Sequence, residues 1–116
     1  MSVNRPIVGS TAAGVGIKYI PVDRYEDDLS IQCDAIGTVT FTVDWTNDNI
    51  YYDTAAQSAI NLSGREGLKT PTAAIWGNLI ASGSADVSGT AGFPVNFLRI
   101  NITAGTGSVN YVINQS

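Results

Sequence analysis

Residues 38–46 read Thr-Val-Thr-Phe-Thr-Val-Asp-Trp-Thr, with apolar and polar side chains in strict alternation. Successive side chains on a strand point to opposite faces, so this stretch predicts one strand with two unlike faces. Val39, Phe41, Val43 and Trp45 are expected to line a buried face, and Thr38, Thr40, Thr42, Asp44 and Thr46 to meet water. The β-branched and aromatic content suits a pleated, half-buried surface. Asn47-Asp48-Asn49 follows, three residues that bond their own backbone and favour a turn.

The same reading extends in both directions. Upstream, residues 29–33 alternate and predict a strand, with Gly37 in the turn before the next. Residues 17–23 predict a first strand, and Pro21, which cannot donate to a ladder, makes it an edge. Residues 1–16 are rich in Gly, Ser, Thr and Ala and are expected to form a flexible or extended arm, leaving 17–116 as a single domain. Downstream, residues 50–53 read as a short strand or loop anchor. Residues 54–72 favour an irregular loop, of a length that often carries function. Residues 73–81 predict a strand with a bulge near Gly77. Residues 85–89 read as a short strand and 89–92 as a turn. The last segment, 95–115, reads as a hairpin: a strand whose phase slips between Phe97 and Leu98, a Gly-rich turn at 104–107, and a strand with Val109, Tyr111 and Ile113 on one face. Short strands, Gly-rich turns and the lack of a long helical period predict an all-β fold. The expectation is a small antiparallel β-sandwich, jelly-roll or immunoglobulin-like, with an extended N-terminal arm.

At 116 residues the chain can bury about two-thirds of the surface its unfolded form exposes, so it needs neither disulfide nor metal to fold. The single cysteine, Cys33, falls in the apolar phase of its strand and reads as a small buried hydrophobe. Charged residues make up 14% of the chain, where about a quarter is usual. Such a surface is polar but loses little to desolvation on contact with another protein. A net charge of −4, with the basic residues scattered, argues against a sequence-independent nucleic-acid binder. No apolar run of about 18 residues is present, so no transmembrane helix is expected. The amino terminus carries no basic region followed by an apolar core, and the expectation is a protein made in a cytoplasm without secretion. Asn61 and Asn101 match glycosylation acceptors, a match without meaning in that compartment.

Known active-site patterns find little to hold. The chain has no histidine, which excludes histidine-based triads and the usual Cys/His zinc sites. Gly14-Val-Gly16 lacks the third glycine and the following helix of a phosphate loop. Asp44, Asp48 and Asp53 flank one turn, and Asp23, Glu26, Asp27, Asp28 and Asp34 gather around another. Neither set has EF-hand spacing, and acidic loop residues on a β-domain usually serve as solvated turn formers. A glycosidase built on two such carboxylates is the weakest reading, since a small sandwich leaves little room for a cleft. No catalytic residue, cofactor or metal is therefore expected. Tyr51, Tyr52 and Trp76 are the candidate interface residues. Adjacent tyrosines on a strand cannot both face one core, and Trp and Tyr supply much of the energy of protein contacts.

A resemblance adds to this reading. The opening Val8-Gly-Ser-Thr-Ala-Ala-Gly14, the segment Tyr19-Ile-Pro-Val-Asp23, Gly37-Thr-Val-Thr-Phe-Thr-Val43, Thr46-Asn-Asp-Asn-Ile50 and the ending from Phe93 to Val109 resemble small virion structural proteins of tailed bacteriophages. The likeness spans nearly the whole chain outside 54–72 and rests on strand-and-turn patterns. It implies a β-sandwich that works by assembly in the virion, foremost as a capsid cement or decoration protein. Such a protein binds the outer head and bridges subunits of the major capsid protein. It implies a homo-oligomer, a trimer at capsid symmetry axes being one form, with no nucleic acid and no membrane as partner. A head–tail connector, tail or fibre-associated subunit is the alternative within that class. A carbohydrate-binding module holding host glycans through Tyr51, Tyr52 and Trp76 is the alternative outside it.

Overall fold

The computed structural model describes residues 6–23, 26–47, 49–50, 68–69 and 74–116. Ten strands follow in chain order: β1 (Ile7–Ser10), β2 (Gly16–Pro21), β3 (Leu29–Ile36), β4 (Val39–Thr46), β5 (Asn49–Ile50), β6 (Leu68–Lys69), β7 (Gly77–Gly83), β8 (Val87–Ala91), β9 (Phe97–Gly105) and β10 (Ser108–Gln115). Two antiparallel four-stranded sheets form the sandwich, in the orders β1-β10-β3-β8 and β2-β9-β4-β7. The two-residue strands β5 and β6 pair in parallel within the connection from β4 to β7.

The pairings nest. β1 pairs with β10, β2 with β9, β3 with β8 and β4 with β7, all antiparallel. The chain is thus one long hairpin hinged between β4 and β7. Rolling it up brings β10 against β3 and β9 against β4, which completes both sheets. This is the jelly roll, and it decides between the two sandwich types expected from the sequence. The connections 11–15, 37–38, 84–86 and 106–107 lie at one end of the sandwich. The strand ends that lead from β2 to β3, from β4 to β7 and from β8 to β9 lie at the other.

The four central strands supply most of the core by simple alternation. Ile31 and Cys33 of β3, Val39, Phe41 and Val43 of β4, Leu98, Ile100 and Ile102 of β9, and Val109, Tyr111 and Ile113 of β10 all point between the sheets and are buried. Each fully buried Val, Leu, Ile or Phe contributes about 1.5–3 kcal/mol. The strand from 39 to 46, the edge position of β2 and the inward face of β10 agree with the sequence.

Four expectations are corrected. Residues 7–16 are not an arm: β1 carries the edge of one sheet along β10, and β2 already begins at Gly16. A Gly- and Ser-rich stretch can pair as an edge because its neighbour provides the ladder; residues 1–5 lie outside the described residues. The segment 95–115 is not a hairpin. β9 and β10 lie in opposite sheets, and the turn between them crosses the sandwich, so both apolar faces meet in one core. The strand expected at 85–89 runs instead from Val87 to Ala91, through the residues read as a turn. On β4 the apolar face is as expected up to Val43, but the water-facing assignment fails for Asp44 and Thr46, which are buried, while Trp45 is only half-buried. The cause is a cover: the segment entering β7 lies on the outer face of β4, and Thr46 Oγ1 donates to the Ile75 carbonyl at 2.8 Å. The bulge expected near Gly77 is two register shifts between β4 and β7, adding residues on β7 opposite 41–44.

Candidate interaction surfaces

One register row crosses all four strands of the β2-β9-β4-β7 sheet. Tyr19 on β2 sits opposite Arg99 on β9, Arg99 opposite Asp44 on β4, and Asp44 opposite Asn78 on β7. Alternation places Tyr19, Arg99 and Asp44 on the outer face, because Ile20, Leu98, Ile100 and Val43 beside them point inward. The register shift between β4 and β7 brings Asn78 out opposite Asp44, although Ile80, two residues on, is buried. Arg99 Nε and Nη2 donate to Asp44 Oδ2 at 3.0 and 2.7 Å. Asn78 Nδ2 donates to Asp44 Oδ1 at 3.0 Å and to the Ile80 carbonyl at 3.1 Å. Both lobes of the carboxylate are occupied.

Trp76 closes this row from outside. Its ring lies 4.3 Å from the guanidinium carbon of Arg99, a cation–π contact, and 6.0 Å from the Tyr19 ring. Of the three candidate interface residues, Trp76 is half-buried and already engaged within the chain. Tyr51 and Tyr52 lie outside the described residues. The sequence reading missed Arg99 and Asp44, and the signal for them was present: single charged residues in the polar phase of two strongly apolar strands.

Chemically the row is a clasp. A carboxylate whose two oxygens accept from a guanidinium and an amide is already engaged within the chain, and the guanidinium is stacked under an indole. Cys33 is equally unsuited to reaction: burial first, and the neighbouring Asp34 carboxylate second, push its thiol up to about 11. Among the described residues no group of three or more Cys, Asp or Glu is arranged to hold a metal ion. No helix among them is long and apolar enough to cross a membrane.

A groove of about 360 Å³ runs over the ends of β3, β8 and β10, with Asp28, Ser30, Thr90 and Asn114 in its lining. It offers hydroxyl and amide groups but no aromatic ring, so it lacks the stacking platform on which sugars are held. A smaller hollow of about 230 Å³ lies along residues 11–18 against Ile102 and is lined by Ala12, Ala13, Val15 and Ile17. Val15 and Ile17 in its lining are 70 and 50% exposed, and Val8, on the outer face of the other sheet, is 72% exposed. No charged residue occurs from residue 6 to residue 17. Comparison with family models, with curated proteins and with solved structures finds no match to this chain.

Proposed function

We propose that this chain is a structural protein of a tailed-bacteriophage virion, acting as a capsid cement or decoration subunit on the outer head. The observation that carries the reading is the eight-stranded jelly roll, an architecture used for capsid domains, joined to the sequence resemblance described above. A sandwich with its core filled by four central strands is a rigid body suited to bridging capsid subunits. The low charge of the chain favours adhesion, because contact with another protein desolvates few ions. Many copies on a symmetric lattice turn weak single contacts into a stable shell.

Jelly rolls also serve as lectin domains, which keeps the glycan-binding alternative in view. That alternative rests on Tyr51, Tyr52 and Trp76, and with the Trp76 ring packed on Arg99 and beside Tyr19 it falls to the two tyrosines, which lie outside the described residues. Quantitative mass spectrometry of purified virions carrying the gene tests the proposal. A cement role requires tens to hundreds of copies per particle, whereas roughly six to eighteen would reassign the chain to a connector or tail ring. Absence from the particle would end the virion reading altogether. A change of tryptophan fluorescence on adding host cell-surface polysaccharide would favour the glycan-binding module instead.

A further inference from the structure

We infer that the β1 edge is a self-association surface, pairing antiparallel with β1 of a second copy about a two-fold axis. The sandwich ends in four edge strands, and three of them are guarded or polar. β2 carries Lys18 and ends in Pro21, and β7 has two register shifts against its neighbour. The outward positions of β8 are Ser88 and Thr90, with Asp86 at its start. Edges are commonly blunted by such charges, prolines and bulges. β1, Ile7-Val8-Gly9-Ser10, has none of them within its bounds, Pro6 standing just before its first residue. Its outer side presents Val8, the second most exposed of the six large exposed hydrophobics among the described residues.

The hydrogen-bond phase of this edge is fixed. Thr11 N donates to the Val109 carbonyl at 2.9 Å, in line with the Ile7↔Ile113 and Gly9↔Tyr111 register. Residues 7, 9 and 11 therefore turn their amides and carbonyls toward β10. Val8 and Ser10 turn theirs outward, where no described strand lies. A second β1 placed antiparallel, with Gly9 opposite Gly9 on the two-fold axis, sets Val8 opposite Ser10 twice. Each such pair exchanges two hydrogen bonds, so four bonds use all the outward groups of both strands. The edge is complementary to itself, as an isologous contact demands.

Charge supports a second copy as the occupant. Two copies each carry a net charge of −4, yet residues 6–17 contain no charged side chain, so the repulsion is kept away from the contact. Four backbone bonds and the exposed Val8 of each strand make a small interface, of the kind that depends on concentration.

Sedimentation equilibrium of the full chain at rising concentration tests the pairing, with Val8→Lys and Thr90→Lys as variants. Both replaced residues are exposed, and Thr90 serves as control because it lies on the opposite edge of the same sheet. The wild type and the Thr90→Lys protein are expected to form dimers, and Val8→Lys to raise the dissociation constant at least about tenfold. In the double variant Val8→Cys with Ser10→Cys, oxidation is expected to link two chains covalently. A wild-type chain that stays monomeric at about 1 mM overturns the inference, as does a Val8→Lys protein with unchanged self-association. A trimer unaffected by Val8→Lys also overturns it, and would direct attention to another face.

Discussion

Three aromatic rings in this sandwich rest on glycines of an edge strand, and the pairing shows how single residues fix the ends of the sheets. Tyr111 covers Gly9 of β1, while Phe41 and Trp45 of β4 cover Gly83 and Gly77 of β7. A ring beside a glycine fills the space a side chain would take, a known device for holding an edge. A Cβ at Gly77 would lie 2.6 Å from Trp45 Nε1 and closer still to the fused ring. Trp45 cannot retreat freely, since its ring is edge-on to Phe93 at 4.6 Å. Gly77→Ala is therefore expected to cost about 1–3 kcal/mol, read as a lowered urea midpoint with unchanged slope. Gly16→Ala, where a Cβ meets nothing within 4 Å, should leave the midpoint almost where it was. Cys33 gives a second expectation at this scale. Its folded-state pKa is raised, from 9.0 to about 11, so the unfolded chain loses the thiol proton first as pH rises. The linked stability is fully present below pH 9 and is lost progressively between about 9 and 11, at roughly 1.4 kcal/mol per pH unit. Measured against Cys33→Ala, which lacks this titration, the wild type should show the steeper alkaline fall in stability. Parallel curves would mean that the thiol is not held protonated by burial.

At the scale of elements, alternation was the legible part. The inward sets of β4, β9 and β10 follow directly from the order of residues, because a period of two allows only one apolar face per strand. Pairing was not legible. The turn at 104–107 reads as a hairpin connection, yet β9 and β10 separate into opposite sheets. What directs the crossing is visible only in three dimensions. Gly105 adopts φ +97°, and the amides of Thr106 and Gly107 donate to the Thr38 carbonyl at 3.1 and 2.8 Å, tying this turn to the β3–β4 turn. A Cβ at Gly105 would stand 2.9 Å from the Thr38 carbonyl carbon, with the oxygen nearer. Gly105→Ala should therefore be more harmful than Gly77→Ala, since it adds left-handed backbone strain of about 1–3 kcal/mol to a backbone collision. The outer-face clasp was illegible for a similar reason. Asp44 was placed on the correct face, but its partners Asn78 and Arg99, and the Trp76 ring that packs on Arg99, come from 34, 55 and 32 residues further along the chain. Asp44→Ala strands a partly buried guanidinium under the Trp76 ring and is expected to destabilise by about 1–3 kcal/mol. Adding Arg99→Met to Asp44→Ala should recover part of that loss, because the uncompensated charge goes with it. A double variant as unstable as the sum of the two single changes would show that Arg99 and Asp44 contribute independently.

Across the whole molecule, the nested pairing sets an order of local stability that amide hydrogen exchange can read. β3 and β10 are neighbours inside one sheet, and β4 and β9 inside the other, so their shared ladders have a strand on each side. Opening them requires the roll to come apart, and their amides should exchange only through global unfolding. Phase tells which amides these are. Residues 109, 111 and 113 turn toward the β1 edge, so Asn110, Val112 and Asn114 bond to β3, opposite Asp34, Gln32 and Ser30. The outward amides of the edge strands have no such protection. On β1 they belong to Val8 and Ser10. On β8 they belong to Ser88 and Thr90, because the Ala35 amide, which donates to Asp86 Oδ1 at 3.1 Å, fixes residues 87, 89 and 91 as the ones facing β3. In dilute protein all four should exchange at least about a thousandfold faster than Gln32 and Val112. Concentration then separates the two edges. If β1 pairs with its copy, raising the protein concentration slows Val8 and Ser10 while Ser88 and Thr90 keep their rates, because only the first pair enters the two-fold ladder. Equal slowing at both edges would point to stacking of whole sandwiches, and rates that ignore concentration would leave β1 an edge in solution.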